Sequence, residues 1–202
     1  MRILACITAL FVITAAVHGQ EQKIISGDAA RSGFGGPVIK FTRIHEQNAL
    51  LVGGRGGWIF NHTLTLGGGG YGVINEIDAP EGALGPEEGP LDIEFLYAGF
   101  EIEYVRNFNS LLHYSFYTLI GAGTANYVKD VGSVWDSNEQ SGETDFLFVL
   151  EPAISGELSI TPWFRSNLGA SYRLVSGVEL DGLSDSDFSG LAATLTLKFG
   201  RF

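Results

Sequence analysis

The 202-residue sequence predicts an all-β protein, an eight-stranded antiparallel up-and-down barrel whose strands cross a membrane. Three observations predict it. Eight segments alternate apolar and polar residues with period two, as strands do when their two faces meet different environments. Their connections alternate between short turns and long loops, which sorts short links to one end of the barrel and long ones to the other. Aromatic residues gather near strand ends, where the two interfaces of a bilayer favour amphipathic rings.

Composition narrows the field before any element is placed. The chain holds 28 glycines and 6 prolines, with 45% hydrophobic and 17% charged residues. A disordered chain would be poorer in apolar residues and richer in charge. Glycine at this level argues against a helical bundle, because each helix-interior glycine costs about 1 kcal/mol relative to alanine. The net charge of −11 repels a phosphate backbone, so no nucleic-acid partner is expected.

In chain order, residues 1–19 read as a secretory signal peptide. Arg2 supplies the positive start, Ile3 to Val17 the apolar run, and Val17-His18-Gly19 a cleavage site before Gln20. The run is short for a membrane-spanning helix. Leu4-Ala5-Cys6 has the look of a lipoprotein box, but too few residues precede it for a leader. With the signal removed no cysteine remains, so a disulfide, a thiol nucleophile and a thiolate metal site are all excluded. No cofactor is expected. Residues 20–35 form a periplasmic lead-in, and residues 36–202 form the barrel.

Strands are expected at Pro37–Ile44, Ala49–Phe60, Thr63–Asn75, Leu91–Arg106, Leu111–Val128, Asp145–Ile160, Trp163–Ser176 and Gly190–Phe202. The first falls slightly short of the roughly 9–11 residues a spanning strand needs. The sixth is the clearest. Phe146, Phe148, Leu150, Ile154, Leu158 and Ile160 share one face, and Glu151, Ser155, Glu157 and Ser159 the other. Pro152 interrupts it and removes a ladder hydrogen bond, which a local bulge would accommodate. Asn61-His62, Asn107–Ser110 and Thr161-Pro162 are short turns, whereas Glu76–Pro90, Lys129–Thr144 and Gly177–Ser189 are long loops. The His45–Asn48 link is short where a long one is expected. Trp58, Phe60, Tyr104, Tyr114, Trp163, Phe164 and Phe199 form one aromatic group, and Phe95, Tyr97, Tyr127, Phe146 and Tyr172 the other.

The terminal run Leu197-Lys198-Phe199-Gly200-Arg201-Phe202 resembles the signature by which assembly machinery recognises bacterial outer-membrane barrels. It is out of phase, since Phe202 shares parity with Lys198 and Gly200; Phe199 is then the last lipid-facing residue and Gly200–Phe202 a short tail. Residues 36–202 as a whole resemble the small OmpA/OmpX type of outer-membrane barrel, without a further periplasmic domain. The resemblance implies a Gram-negative outer-membrane location, with both termini periplasmic. It implies outer-membrane lipid, lipopolysaccharide and the barrel assembly machinery as partners, and a structural or surface-interaction role without enzymatic activity.

If the apolar face meets lipid, the other face fills the lumen. By parity that face carries Lys40, Arg55, Arg165, Arg173 and Lys198 with Glu101, Glu103, Glu151 and Glu157, plus Leu51, Ile59 and Leu119. An eight-stranded barrel is only wide enough for side chains to fill it. Enclosed opposite charges must pair, because an isolated buried charge costs several kcal/mol. The expectation is an ion-pair network and a filled lumen.

Other chemistry is thinner. His113-Tyr114-Ser115 resembles the His-x-Ser pair of outer-membrane lipid A deacylases, in which serine attacks an ester with histidine as base. Both residues have lumen parity at the short-turn end, away from outer-leaflet lipid. The long loops hold more than half of the chain's 23 acidic residues. Within them Asp181, Asp185 and Asp187 sit at a spacing that suits a divalent cation's preference for oxygen. Trp135 in the same loops is a candidate contact residue. Gly67–Gly72 matches GxGxxG, but no helix follows to hold a phosphate. The rival functions are a lipid-modifying enzyme, a narrow channel and a soluble lipocalin-like ligand carrier. Gly56-Gly57-Trp58 matches a lipocalin element, but on the second strand, and the would-be outer face lacks the charge a soluble barrel shows.

Overall fold

A computed structural model describes residues 32–61, 63–81, 83, 91–106, 111–129 and 140–202. The expected signal peptide, most of the lead-in, His62, Trp135 and parts of the acidic loops lie outside the described residues. The strands are β1 (Ser32–Ile44), β2 (Gln47–Phe60), β3 (Leu64–Val73) and β4 (Leu91–Arg106). They continue as β5 (Leu112–Lys129), β6 (Gln140–Thr161), β7 (Phe164–Ser176) and β8 (Gly190–Arg201), with one short helix, α1 (Asp185–Phe188), before the last. Each strand pairs antiparallel with its neighbours in chain order, and β1 pairs with β8 to close the barrel.

Three strands are longer than the sequence suggests, β2 by its first two residues and β1 and β6 by more. β1 starts at Ser32 rather than Pro37 and has 13 residues, enough to span. Its added Ser32–Gly36 stretch is held by ladders to β2 and β8, a tertiary cause that local propensity does not show. A Cβ at Gly36 would lie 1.7 Å from the Leu197 carbonyl oxygen, so glycine is what lets the closing strands meet. β6 begins at Gln140 and has 22 residues, with a register shift where β5 passes Ala125 and Tyr127. No bulge forms at Pro152. The β6–β7 register is the same on either side, Leu150 with Leu174 and Ala153 with Ser171, and only the pairing between them is missing. Proline there costs one ladder bond and leaves the register intact.

The short β1–β2 link is a two-residue turn. His45 and Glu46 both have positive φ, 45° and 61°, which matches the turn handedness that two-residue hairpins require.

Polarity is inverted relative to a water-soluble barrel. Trp58, Phe100, Phe116, Phe148, Ile154, Leu158 and Leu168 are exposed on the outside, while Glu103, Glu151 and Arg173 are completely buried inside. The lower outer rim carries Trp58, Tyr104, Tyr114, Trp163 and Phe199. The upper aromatic group needs correction: Phe95, Tyr97 and Tyr127 are buried and point inward. Phe95 and Tyr97 share parity with Glu101 and Glu103, and Tyr127 pairs with inward-facing Ile93, so their position near a strand end did not make them interfacial. Phe146 and Tyr172 remain on the upper outside.

Candidate functional site

The lumen has two tiers, and inward parity puts each side chain in place. The lower tier is ionic. Arg55 Nε lies 2.6 Å from Glu101 Oε2, and Arg55 Nη2 3.2 Å from Glu103 Oε2. Lys198 Nζ approaches Glu103 Oε1 at 2.8 Å, and Arg165 Nη1 approaches Glu157 Oε1 at 2.9 Å. Lys198 also sits 2.6 Å from Glu157 Oε2, close but without the alignment of a hydrogen bond. Tyr71 donates its hydroxyl to Glu101 at 2.8 Å. A chain of charges thus runs Glu101–Arg55–Glu103–Lys198–Glu157–Arg165 across β4, β2, β8, β6 and β7. Rings fill the remaining space. Arg55 lies 4.1 Å from the Tyr117 centroid, and Arg165 4.0 Å from that of Phe202.

A separate cluster sits above it. Lys40 Nζ donates to both oxygens of Glu151 at 2.8 Å. Tyr97 gives its hydroxyl proton to Glu151 Oε2 at 2.6 Å, and Ser171 donates to the other oxygen. Lys40 also stands 3.4 Å from the centroid of the Tyr71 ring. These buried charges are both paired and hydrogen-bonded, the condition under which burial is tolerated. Glycine makes room for them: a Cβ at Gly69 would fall 2.5 Å from Glu101 Oε1.

Arg173 differs from the other lumen cations. It is fully buried, and Nε donates to the Phe188 carbonyl at 2.6 Å. Nη1 and Nη2 make no hydrogen bond, and the guanidinium faces the rings of Phe95 (5.1 Å) and Tyr97 (5.8 Å). Among the described residues no carboxylate stands within ion-pair distance of it.

The upper tier, toward the long loops, is an apolar core. Ile44, Leu51, Phe95, Leu119, Tyr127, Leu147 and Val149 pack with Ile77, Leu180 and Phe188, which come from the loops. Parity marked Leu51 and Leu119 of this plug but not Ile77, Leu180 and Phe188, which lie outside the strands. α1 lies over the mouth and drives Phe188 to within 5.1 Å of Phe95. The β1–β2 turn fastens the loops on both sides. His45 donates its backbone N–H to the Asp187 carbonyl at 2.8 Å, and His45 Nδ1 lies 3.0 Å from Asp187 Oδ1. Gln47 exchanges two hydrogen bonds with the backbone of Asp78. The unexpected shortness of this link is therefore structural: two flanking loops fold over it.

The three candidate cation-binding aspartates are drawn into this lid. Asp181 accepts from the Tyr127 hydroxyl through its backbone oxygen at 2.6 Å. Asp185 Oδ1 accepts from Val178 N at 2.9 Å. Asp187 Oδ2 accepts from the Ser184 backbone and hydroxyl. Partial burial pushes the Asp187 carboxyl up, but hydrogen bonds from His45 and Ser184 outweigh it and hold the group below the usual aspartate value. Among the described residues no group of three or more histidine, cysteine or acidic side chains is placed to hold a metal.

His113 and Ser115 are both completely buried in the lower lumen. His113 Nδ1 is 3.3 Å from the Glu157 carbonyl, and Ser115 Oγ shares a hydrogen bond with Ser155 Oγ at 2.7 Å. Asn167 donates to the same Ser155 hydroxyl at 2.8 Å. Phe202 is not a free tail. It stacks on Phe34 with centroids 6.4 Å apart and lies under Arg165, at the lower end of the lumen.

No family model and no curated protein sequence matches the chain. Solved structures do. Neisserial surface protein A (NspA) is similar with a TM-score of 0.57 and 12% identity, over 86% of this chain and 99% of that one. Two further similar structures are the attachment invasion locus protein Ail of Yersinia pestis and the outer membrane protein OprG of Pseudomonas aeruginosa. Ail has a TM-score of 0.45 and 15% identity, over 85% of this chain and 97% of its own. OprG has a TM-score of 0.45 and 10% identity, over 87% and 97%. At 12% identity the likeness to NspA is one of fold. The chain has the fold of the small eight-stranded outer-membrane barrels.

Proposed function

We propose that the protein is an integral outer-membrane barrel with a plugged lumen, acting as a structural or surface-interaction element and not as an enzyme or a channel. One observation carries this reading: the outer wall of the strands is apolar, and charge is enclosed in the lumen, paired everywhere among the described residues except at Arg173. A soluble carrier needs the opposite arrangement, with an apolar cavity inside and charge outside. A pore needs water along its axis, whereas here the lower lumen holds locked ion pairs and the upper lumen an apolar core under α1. An esterase of the His-x-Ser kind needs its nucleophile open to lipid, and Ser115 is enclosed. What the outer face offers to partners is the acidic loop end.

The test is electrophoretic and electrical. A folded barrel from the washed membrane fraction runs at a different mobility before and after boiling. The expected result is a heat-dependent shift in that fraction, with no steady conductance in planar bilayers. Recovery only in the soluble fraction overturns the membrane reading, and stable unitary currents overturn the plug.

A further inference from the structure

The outer wall at the long-loop end holds a groove of about 540 Å³ on the β8–β1–β2 face. Phe41, Leu50 and Leu191 give it an apolar bed, with Phe41 59% and Leu191 71% exposed. Asn48, Asn75 and Arg43 stand at its upper edge, where β1 pairs Arg43 with Asn48 and Phe41 with Leu50. The edge is built. Asn75 donates to the Asn48 carbonyl at 3.0 Å and accepts from Leu50 N at 2.7 Å. Arg43 is held by two hydrogen bonds from its guanidinium to the Glu46 carbonyl.

Charge makes this place distinct. Among the basic residues whose side chains are described, Lys40, Arg55, Arg165, Arg173 and Lys198 are buried in the lumen. Arg106 and Arg201 end their strands at the opposite, short-turn end. Arg43 is therefore the described cation on the outside of the long-loop end. Exposed Glu46, Glu76 and Asp78 stand on the same rim, so Arg43 is the point on it where an anion meets a cation.

We infer that this groove seats one phosphorylated lipid of the outer leaflet, with its phosphate on Arg43 and an acyl chain on Phe41, Leu50 and Leu191. The inference rests on the outer-membrane reading above and deepens it. A guanidinium already fixed by its neighbour loses little freedom on meeting a phosphate, and Arg–phosphate contacts are among the stronger hydrogen bonds. The apolar bed below the charge gives the site the two-part character of a lipid. A free anion has no use for that bed, so the occupant is the lipid and not dissolved phosphate.

The experiment folds the full chain into phosphatidylcholine vesicles doped with bis-phosphorylated lipid A, then extracts it gently and counts retained lipid A by native mass spectrometry. Wild type is expected to keep one lipid A per barrel. Arg43→Glu, and Arg43→Gln as the variant that still donates to Glu46, should each weaken retention about tenfold. Arg106→Glu at the far end should leave it unchanged. Heat-dependent mobility is read on every sample. Barrels that fold normally yet retain lipid A equally with Arg43 replaced overturn the site. Displacement of lipid A by inorganic phosphate alone overturns the lipid assignment. Failure of wild type to fold into vesicles at all overturns the underlying membrane reading instead.

Discussion

At the scale of single residues, the lumen is governed by the cost of enclosing charge. Lys40 and Glu151 are each 1% exposed as side chains, and their separation is 2.8 Å. Lys40→Met should lower stability by about 3–5 kcal/mol, because it leaves the Glu151 carboxylate enclosed without a cation. The paired change Lys40→Met with Glu151→Gln should recover much of that loss, since neither charge remains. Denaturant unfolding of the vesicle-inserted barrel measures both, and additive losses in the double variant would contradict a coupled pair. Residue identity was the most legible part of the site in the sequence. Inward parity marked the lysine, arginine and glutamate side chains that are buried among the described residues, because a strand's two-residue period sends alternate side chains to opposite faces. Which cation meets which carboxylate was not legible. Lys40 and Glu151 lie on β1 and β6, and only the barrel's curvature brings them across the lumen.

At the scale of elements, the β1–β2 turn, the β7–β8 loop and α1 form one lid. Asp187 joins them, and its folded-state pKa is depressed. A group of that kind contributes stability that is complete above the ordinary aspartate value of 3.8 and is lost as the pH falls below it, through the depressed native value. Acidification into that range should therefore loosen α1 before the strands. Hydrogen exchange at the His45 amide, which donates to Asp187 O, and at the Val175 amide, which donates to Ser189 Oγ, reads the lid directly. Asp187→Asn should lower protection at neutral pH and flatten the acid dependence. An acid profile identical to wild type would remove Asp187 from the latch. The sequence showed an acidic loop and a short link but not their union, because the contact joins positions 142 residues apart.

At the scale of the whole molecule, the outward face is the determinant. Ile154 lies on β6 midway in sequence between the exposed aromatic residues Phe146 and Trp163 and is 51% exposed on the outer wall. In a barrel surrounded by hydrocarbon, Ile154→Arg should cost about 2–4 kcal/mol, the penalty of a cation near the bilayer midplane. In a barrel surrounded by water the same change would be close to neutral. Unfolding of wild type and variant in vesicles separates the two. An unaltered midpoint would mean that the β6 outer face does not meet lipid.

The sequence by itself determined the number of strands, their order and the sorting of apolar and charged faces. Each of these follows from a local period and from where turns interrupt it. Tertiary structure alone decided the start of β1, which is drawn into order by its ladders to β2 and β8. It alone decided that Phe95 and Tyr127 meet residues of the β7–β8 connection, and that Arg173 is isolated from any described carboxylate. Closing a sheet into a cylinder makes neighbours of side chains that no local pattern connects, and the pairings inside the lumen and under the lid are products of that closure.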